Sequence, residues 1–223
     1  MDAARIIGQA PPHLSGHFFV ILNDSVIGGI WAEKLRDRSF EMPDGNADGV
    51  PDQWQPLGGA TCAIDGDTAL THMGNGRTHA QRIAGETGTC GVSQRSIVIR
   101  RNEQYDVGAW LKQLGLAGPV TVALHSAQGQ PYASAELVGV GGELSYHTAR
   151  LSPGADDDDA VFSVSFAGPG TVWLDQASLM PTTAVHGFRA DVVAAIRALR
   201  PSVIRFPGGN FAQCYHWTDG IGP

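Results

Sequence analysis

Three features of this sequence have residue types and spacing suited to chemistry. The run Asp44-Gly45-Asn46-Ala47-Asp48-Gly49-Val50-Pro51-Asp52 places oxygen side chains at loop positions one, three, five and nine, with glycine at six. A tight turn with that spacing wraps alternate side chains around one hard cation. Position twelve is Gln55 rather than a bidentate glutamate, and Pro51 stiffens the loop. Two readings stand: a structural Ca2+ held by Asp44, Asn46, Asp48 and Asp52, or an acidic, solvated entry into the segment that follows. The sequence requires no other cofactor. The second feature is Pro207-Gly208-Gly209-Asn210, a glycine-rich loop after the short apolar run Val203–Phe206, leading on to His216 and Trp217. The third is Trp110. In Tyr105–Leu111 alternation puts Tyr105, Val107, Ala109 and Leu111 on one face and Trp110 on the other, flanked by Asp106 and Lys112. An indole on a polar sheet face can stack on a sugar ring, or lie covered by a loop.

The elements that must position these groups fall into three stretches. Residues 1–41 hold a continuous apolar run, Phe18–Leu22, which fits a strand buried on both faces, then Gly-Gly and a helical pattern around Ile30–Leu35. Residues 42–181 alternate in short runs at 91–101, 105–111, 119–125, 134–140, 145–151, 160–166 and 171–179, with Gly, Pro and Asp between them. That spacing predicts an antiparallel sandwich or jelly roll. Asp156–Asp159 reads as a solvated loop rather than a metal site, and Trp54 and Trp173 as core. In 182–223 the period changes. Phe188, Val192, Val193, Ile196 and Leu199 mark one helix face, Pro201 stops it, and a short strand leads into the glycine-rich loop. Helix, strand, then loop at the strand's C-terminal end is an α/β-barrel phrase.

Composition narrows the function classes. With 15 Lys and Arg against 22 Asp and Glu, the 223-residue chain carries a net charge of −7. This argues against nucleic acid or an anionic membrane as the main partner. No apolar run reaches the ~18 residues that span a bilayer, and Met1–Leu14 lacks the continuous apolar region of a secretory signal. Cys62, Cys90 and Cys214 allow one disulfide at most, so the fold is no disulfide scaffold. Cys62 and Cys90 can pair across strands, though nothing requires it; Cys214 reads as a buried thiol.

The first and third stretches resemble the family-51 glycoside hydrolases, known chiefly as α-L-arabinofuranosidases. GHFF followed by GGIWAEKLRDRSFE resembles that family's first barrel strand and the segment after it, and LRPSVIRFPGGNFAQCYHWTDGIGP its second strand and loop. The middle stretch is similar to carbohydrate-binding jelly rolls inserted between those two strands. The resemblance implies a mainly β chain: a jelly-roll β-sandwich inserted into the start of an incomplete (β/α)8 barrel, with a polysaccharide or oligosaccharide as partner. A closed barrel needs at least ~200 residues, far more than segments 16–40 and 182–223 supply, so the chain is expected to be the front of a longer enzyme.

The family's chemistry is retaining hydrolysis by two carboxylates ~5 Å apart, both glutamates on later barrel strands. None of Glu33, Glu41, Glu86, Glu103, Glu136 and Glu143 lies in a matching context, so no catalytic residue is assigned. Asn102-Glu103 imitates the family's acid/base pair but sits in a turn between two strands, where such residues serve the backbone. The resemblance makes Arg205 the guanidinium that keeps the nucleophile ionised. It makes Asn210 a contact to sugar hydroxyls, whose alternative is an ordinary turn asparagine. His216 and Trp217 either wall the pocket or pack beneath the loop. Val20 and Ile21 stand where the family carries a glutamate pair, which leaves the sugar's hydroxyls less satisfied at that edge.

Overall fold

Alternating apolar and polar positions drive most of the chain into strands. In the computed structural model, residues 8, 9, 11, 13–19, 25–66, 79–206, 208–213 and 215 are described. The chain divides into two units, residues 1–31 with 188–223, and residues 32–187.

The larger unit is a sandwich of two five-stranded antiparallel sheets. With β1 and β12 reserved for the smaller unit, its strands are β2 (Gln55–Gly58), β3 (Thr61–Asp65), β4 (Ala80–Gly85), β5 (Thr89–Ile99), β6 (Tyr105–Leu114), β7 (Val120–His125), β8 (Pro131–Leu137), β9 (Ser145–Leu151), β10 (Asp157–Ala167) and β11 (Gly170–Pro181). One sheet runs β2-β5-β10-β7-β8 and the other β3-β4-β11-β6-β9. Strand β7 shows why these residues make a sandwich: Val120, Val122 and Leu124 are buried, while Thr121, Ala123 and His125 between them are only half so. Inward side chains of both sheets, among them Ile83, Val92, Leu111, Phe162 and Leu174, form one core. Trp54 belongs to it at 1% exposure, stacked 5.0 Å from Phe40 and edge-on to Phe162.

Segment 32–40 is not helical. A π-helical turn, Val26–Ile30, ends at Trp31, and the chain then runs extended. The cause is Glu33. Its Oε1 accepts the amides of Lys34 (3.0 Å), Leu35 (3.1 Å) and Leu179 (2.7 Å), and its Oε2 the hydroxyl of Ser178. Capturing Lys34 and Leu35 amides removes the donors a helix would need. The freed backbone lies along β11 beyond the end of β4: Lys34 donates to the Leu179 carbonyl (3.0 Å) and Ala177 to that of Arg38 (2.9 Å). On the opposite sheet the same segment meets β5. There the Arg36 amide donates to Gln94 Oε1 (2.7 Å), and Gln94 Nε2 to the Arg36 carbonyl (2.8 Å).

Asp156–Asp159 also departs from expectation. Asp157–Asp159 open β10, and each carboxylate of the run has a partner: the Arg101 amide for Asp156, the Tyr132 hydroxyl for Asp157, Arg100 for Asp158 and the Ser96 hydroxyl for Asp159. Asp156, Asp158 and Asp159 stay exposed to solvent, and the neighbouring donors fix their positions at the start of the strand.

The smaller unit holds a parallel pair, β1 (His17–Phe18) with β12 (Ile204–Arg205), in register His17↔Ile204 and Phe18↔Arg205. Helix α1 (Ala190–Leu199) half-buries Val192, Val193 and Ile196. It ends where Arg200 turns left-handed (φ 49°), just before Pro201. The described strand β1 is two residues long and exposed rather than buried on both faces; Val20 and Ile21 lie outside the described residues.

Glu33→Ala is expected to lower stability in urea unfolding by about 2 kcal/mol or more, because the buried Leu35 and Leu179 amides lose their acceptor. Glu33→Gln, which keeps one oxygen, should cost less; an unchanged midpoint in both refutes the clamp. Cys62 and Cys90 are free thiols. Burial, then the charges of Asp48 and Cys90, push Cys62 up to about 11 from 9.0. Native Cys62 should therefore resist thiol reagents at pH 8, where only roughly 0.1% is thiolate. Because the folded chain holds that proton more tightly, the contribution to stability is complete below pH 9 and lost as pH climbs toward 11. Fast labelling of the native protein contradicts this.

Candidate functional site

Strand parity sets the first candidate surface. On β6 the inward residues Tyr105, Val107, Ala109 and Leu111 are at most 2% exposed, and Asp106, Gly108, Trp110 and Lys112 face outward. Trp110 pairs across the strands with Tyr146 of β9, ring centroids 5.7 Å apart and planes tilted 51°. Tyr146 is 53% exposed. Its ring crosses Gly108, where an added Cβ would collide with the phenol; a side chain there would displace the aromatic pair.

Trp173 joins this outward face and is not core. It pairs with Lys112, whose ammonium sits 4.7 Å over the indole, and its Nε1 donates to Asp65 (2.6 Å). Val172 and Leu174 point inward, so alternation demands that Trp173 point out. The outer face of this sheet thus offers two indoles and a phenol among polar side chains. Such rings present flat apolar surface with edge hydrogen-bonding groups, the combination that suits a sugar's C–H face. Tyr146 and Trp173 escaped the sequence reading, although the alternation in 145–151 and 171–174 carried the signal.

The acidic loop is built from backbone caps. Asp44 accepts the amides of Asp48 (3.2 Å) and Gly49 (2.9 Å), Asp52 that of Gly45 (2.8 Å), and Asp48 that of Val50 (3.1 Å). Asn46 Nδ2 donates to Asp48 Oδ2 (3.0 Å). Gly49 is required because φ is +89° and a Cβ would strike the Cys62 carbonyl. Its own carbonyl accepts Gln81 Nε2 (2.8 Å), which ties the loop to β4. Among the described residues, no group of three or more His, Cys, Asp or Glu side chains is placed to hold a metal.

Arg205 ends β12, exposed, its guanidinium 4.8 Å over the Phe18 ring. Asn210 is exposed at the start of a 3-10 turn, Asn210–Gln213, in which Ala212 donates to the Gly209 carbonyl. Arg205 is the last residue of a parallel strand and Asn210 follows it in the chain, the strand end being where barrel enzymes carry their chemistry. His216, Trp217 and Cys214 lie outside the described residues. Glu103 serves its turn: its amide donates to the Arg100 carbonyl, and its carboxylate accepts the buried Tyr105 hydroxyl. Burial, then that hydrogen bond, raises the Tyr105 phenol above its usual range.

No protein-family model matches the chain. It is 26% identical over 253 residues to α-L-arabinofuranosidase 1 of Arabidopsis thaliana, covering all of this chain and 36% of that protein. It is 29% identical over 231 residues to an extracellular exo-α-L-arabinofuranosidase of Streptomyces chartreusis, covering 93% and 27%. One 43-residue stretch is 54% identical to α-L-arabinofuranosidase C of Emericella nidulans, covering 19% and 8%. The chain thus spans about a third or less of these relatives. Among solved structures, an arabinose-bound family-51 α-L-arabinofuranosidase superposes with TM-score 0.75 at 23% identity, over 90% of this chain and 35% of that one. Along its whole length the chain is similar to arabinofuranosidases, and its fold matches about a third of an arabinose-bound family-51 member.

Proposed function

We propose that this chain is the front of an enzyme that removes arabinofuranosyl groups from arabinose-containing plant polysaccharides, and that its sandwich docks the polymer on the Trp110–Tyr146 face. The observation that carries the first half is the identity to arabinofuranosidases over the full chain. For the second half, the support is an outward aromatic pair with Tyr146 half-exposed. In this reading Arg205 orients a carboxylate contributed from outside this chain, and Asn210 hydrogen-bonds sugar hydroxyls. The chain by itself binds without cutting, since its buried glutamate, Glu33, is committed to three amides and a hydroxyl. The acidic loop needs no cation in this reading, because Asp44, Asp48 and Asp52 cap its own amides.

Two measurements test this. The purified chain should leave an aryl α-L-arabinofuranoside intact; turnover would overturn the non-catalytic assignment. Arabino- or xylo-oligosaccharides should quench its tryptophan fluorescence, and Trp110→Ala should weaken that binding about tenfold or more. A quench that survives the substitution removes the docking role. For the loop, the melting temperature should be the same with chelator and with millimolar calcium. A rise with calcium means that Asp44, Asn46, Asp48 and Asp52 do take the ion, since a ligand of the native state alone must stabilise it.

A further inference from the structure

Strand β5 outruns its neighbour β2, whose pairing ends at Gln55↔Ser93. Beyond that point, segment 34–36 lies beside it, held by Gln94. This side chain is 3% exposed and has both ends of its amide engaged with the Arg36 backbone. A glutamine so fixed sets where Arg36 stands relative to Arg95, the residue after it on β5. Between them opens a cavity of about 360 Å³, lined by Lys34, Arg36, Arg95, Gln53, Gln94 and Ser96 among others. Three cations line it and no carboxylate does, in a chain of net charge −7.

The two guanidinium charges are available. Among the described residues, no ion pair engages Arg36 or Arg95. Among the described residues, the Arg95 guanidinium makes one hydrogen bond, from Nε to Gln55 (3.3 Å). Asp159 reaches the rim through the Ser96 hydroxyl (2.9 Å), where it offsets part of the positive charge. Ser96 is held left-handed at φ 61°, a conformation that costs free energy for a residue with a Cβ. Two guanidiniums, of Arg36 and Arg95, against one acid leave a local excess suited to a single anionic group. Guanidinium forks match a carboxylate's two oxygens, and the neutral amide and hydroxyl groups of Gln53 and Ser96 suit hydroxyl partners beside it.

We infer that this pocket binds a sugar carboxylate: a hexuronate unit on the polysaccharide. The inference deepens the proposed function and rests on its reading that the chain handles polysaccharide. It also gives the sandwich a second contact, at a sheet edge rather than on the Trp110 face. Acidic branches are thereby recognised separately from the neutral backbone.

Calorimetric titration of the 223-residue chain distinguishes the two surfaces. The probes are a glucuronate-substituted xylo-oligosaccharide, its unsubstituted counterpart and sodium phosphate. The acidic oligosaccharide should bind, more weakly at 200 mM salt than at 50 mM. Arg36→Gln and Arg95→Gln should each reduce that binding about tenfold, while Trp110→Ala leaves the Arg-dependent part in place. Both arginines are exposed, so the variants should keep the urea midpoint of the parent, and that midpoint is measured alongside. Equal affinity for the unsubstituted sugar, tighter binding of phosphate, or arginine variants that bind normally would each overturn the inference. Failure of the Trp110-dependent neutral binding, with the Arg-dependent acidic binding retained, would instead sink only the aromatic docking role.

Discussion

The sandwich depends on one buried carboxylate. Two sheets facing each other leave the edges of β11 and β5 unsatisfied where β4 and β2 stop short. Polar backbone left in that position is costly unless something pairs with it. Glu33 solves this for β11 by standing in for a backbone carbonyl, and Gln94 solves it for β5 by holding Arg36 at both ends. The segment that results is neither helix nor strand, yet it closes one side of the core, with Leu35 and Phe40 at 2% and 1% exposure.

Both candidate ligand surfaces inherit their geometry from this closure. Ser178, which holds Glu33 Oε2, pairs with Gly108 of β6, the residue beneath the Tyr146 ring. The carboxylate clamp and the aromatic pair therefore share a row of the same sheet. On the other sheet, Gln94 carries Arg36 to the cationic pocket. Side chains that recognise a ligand are most exact when their neighbours leave them no freedom, and here buried amide and carboxylate groups supply that restraint.

The sequence made most of the sandwich legible because its strands obey a period of two. Trp110 could be assigned to the outer face from Tyr105, Val107 and Leu111 alone. The same parity, applied to Val172 and Leu174, would have brought Trp173 out of the core. Strands β2 and β3 were not legible, since edge strands bury little and carry few apolar residues; β3 leaves Thr61, Ala63 and Ile64 exposed. The helix read at Ile30–Leu35 failed for a different reason. Its apolar spacing was suitable, but periodicity cannot register that a glutamate will capture the adjacent amides and a partner far along the chain. Asp156–Asp159 illustrates the same limit: the run is exposed as read, but its place at the start of β10 shows only once the Arg100, Arg101, Tyr132 and Ser96 donors are brought beside it. The cationic pocket had no signature at all, because Arg36 and Arg95 come from positions some sixty residues apart, and Gln94 holds the Arg36 backbone beside β5.

The sandwich begins and ends at the same place. Ala32 donates its amide to the Gly187 carbonyl at 2.8 Å, and just outside, Trp31 bridges to Phe188. A module whose two termini touch can be spliced into, or out of, a host loop without stretching either partner, and the entropic cost of the longer loop grows only logarithmically. This neck makes residues 32–187 a transplantable cassette, open to exchange by recombination while the parallel strands on either side keep their register.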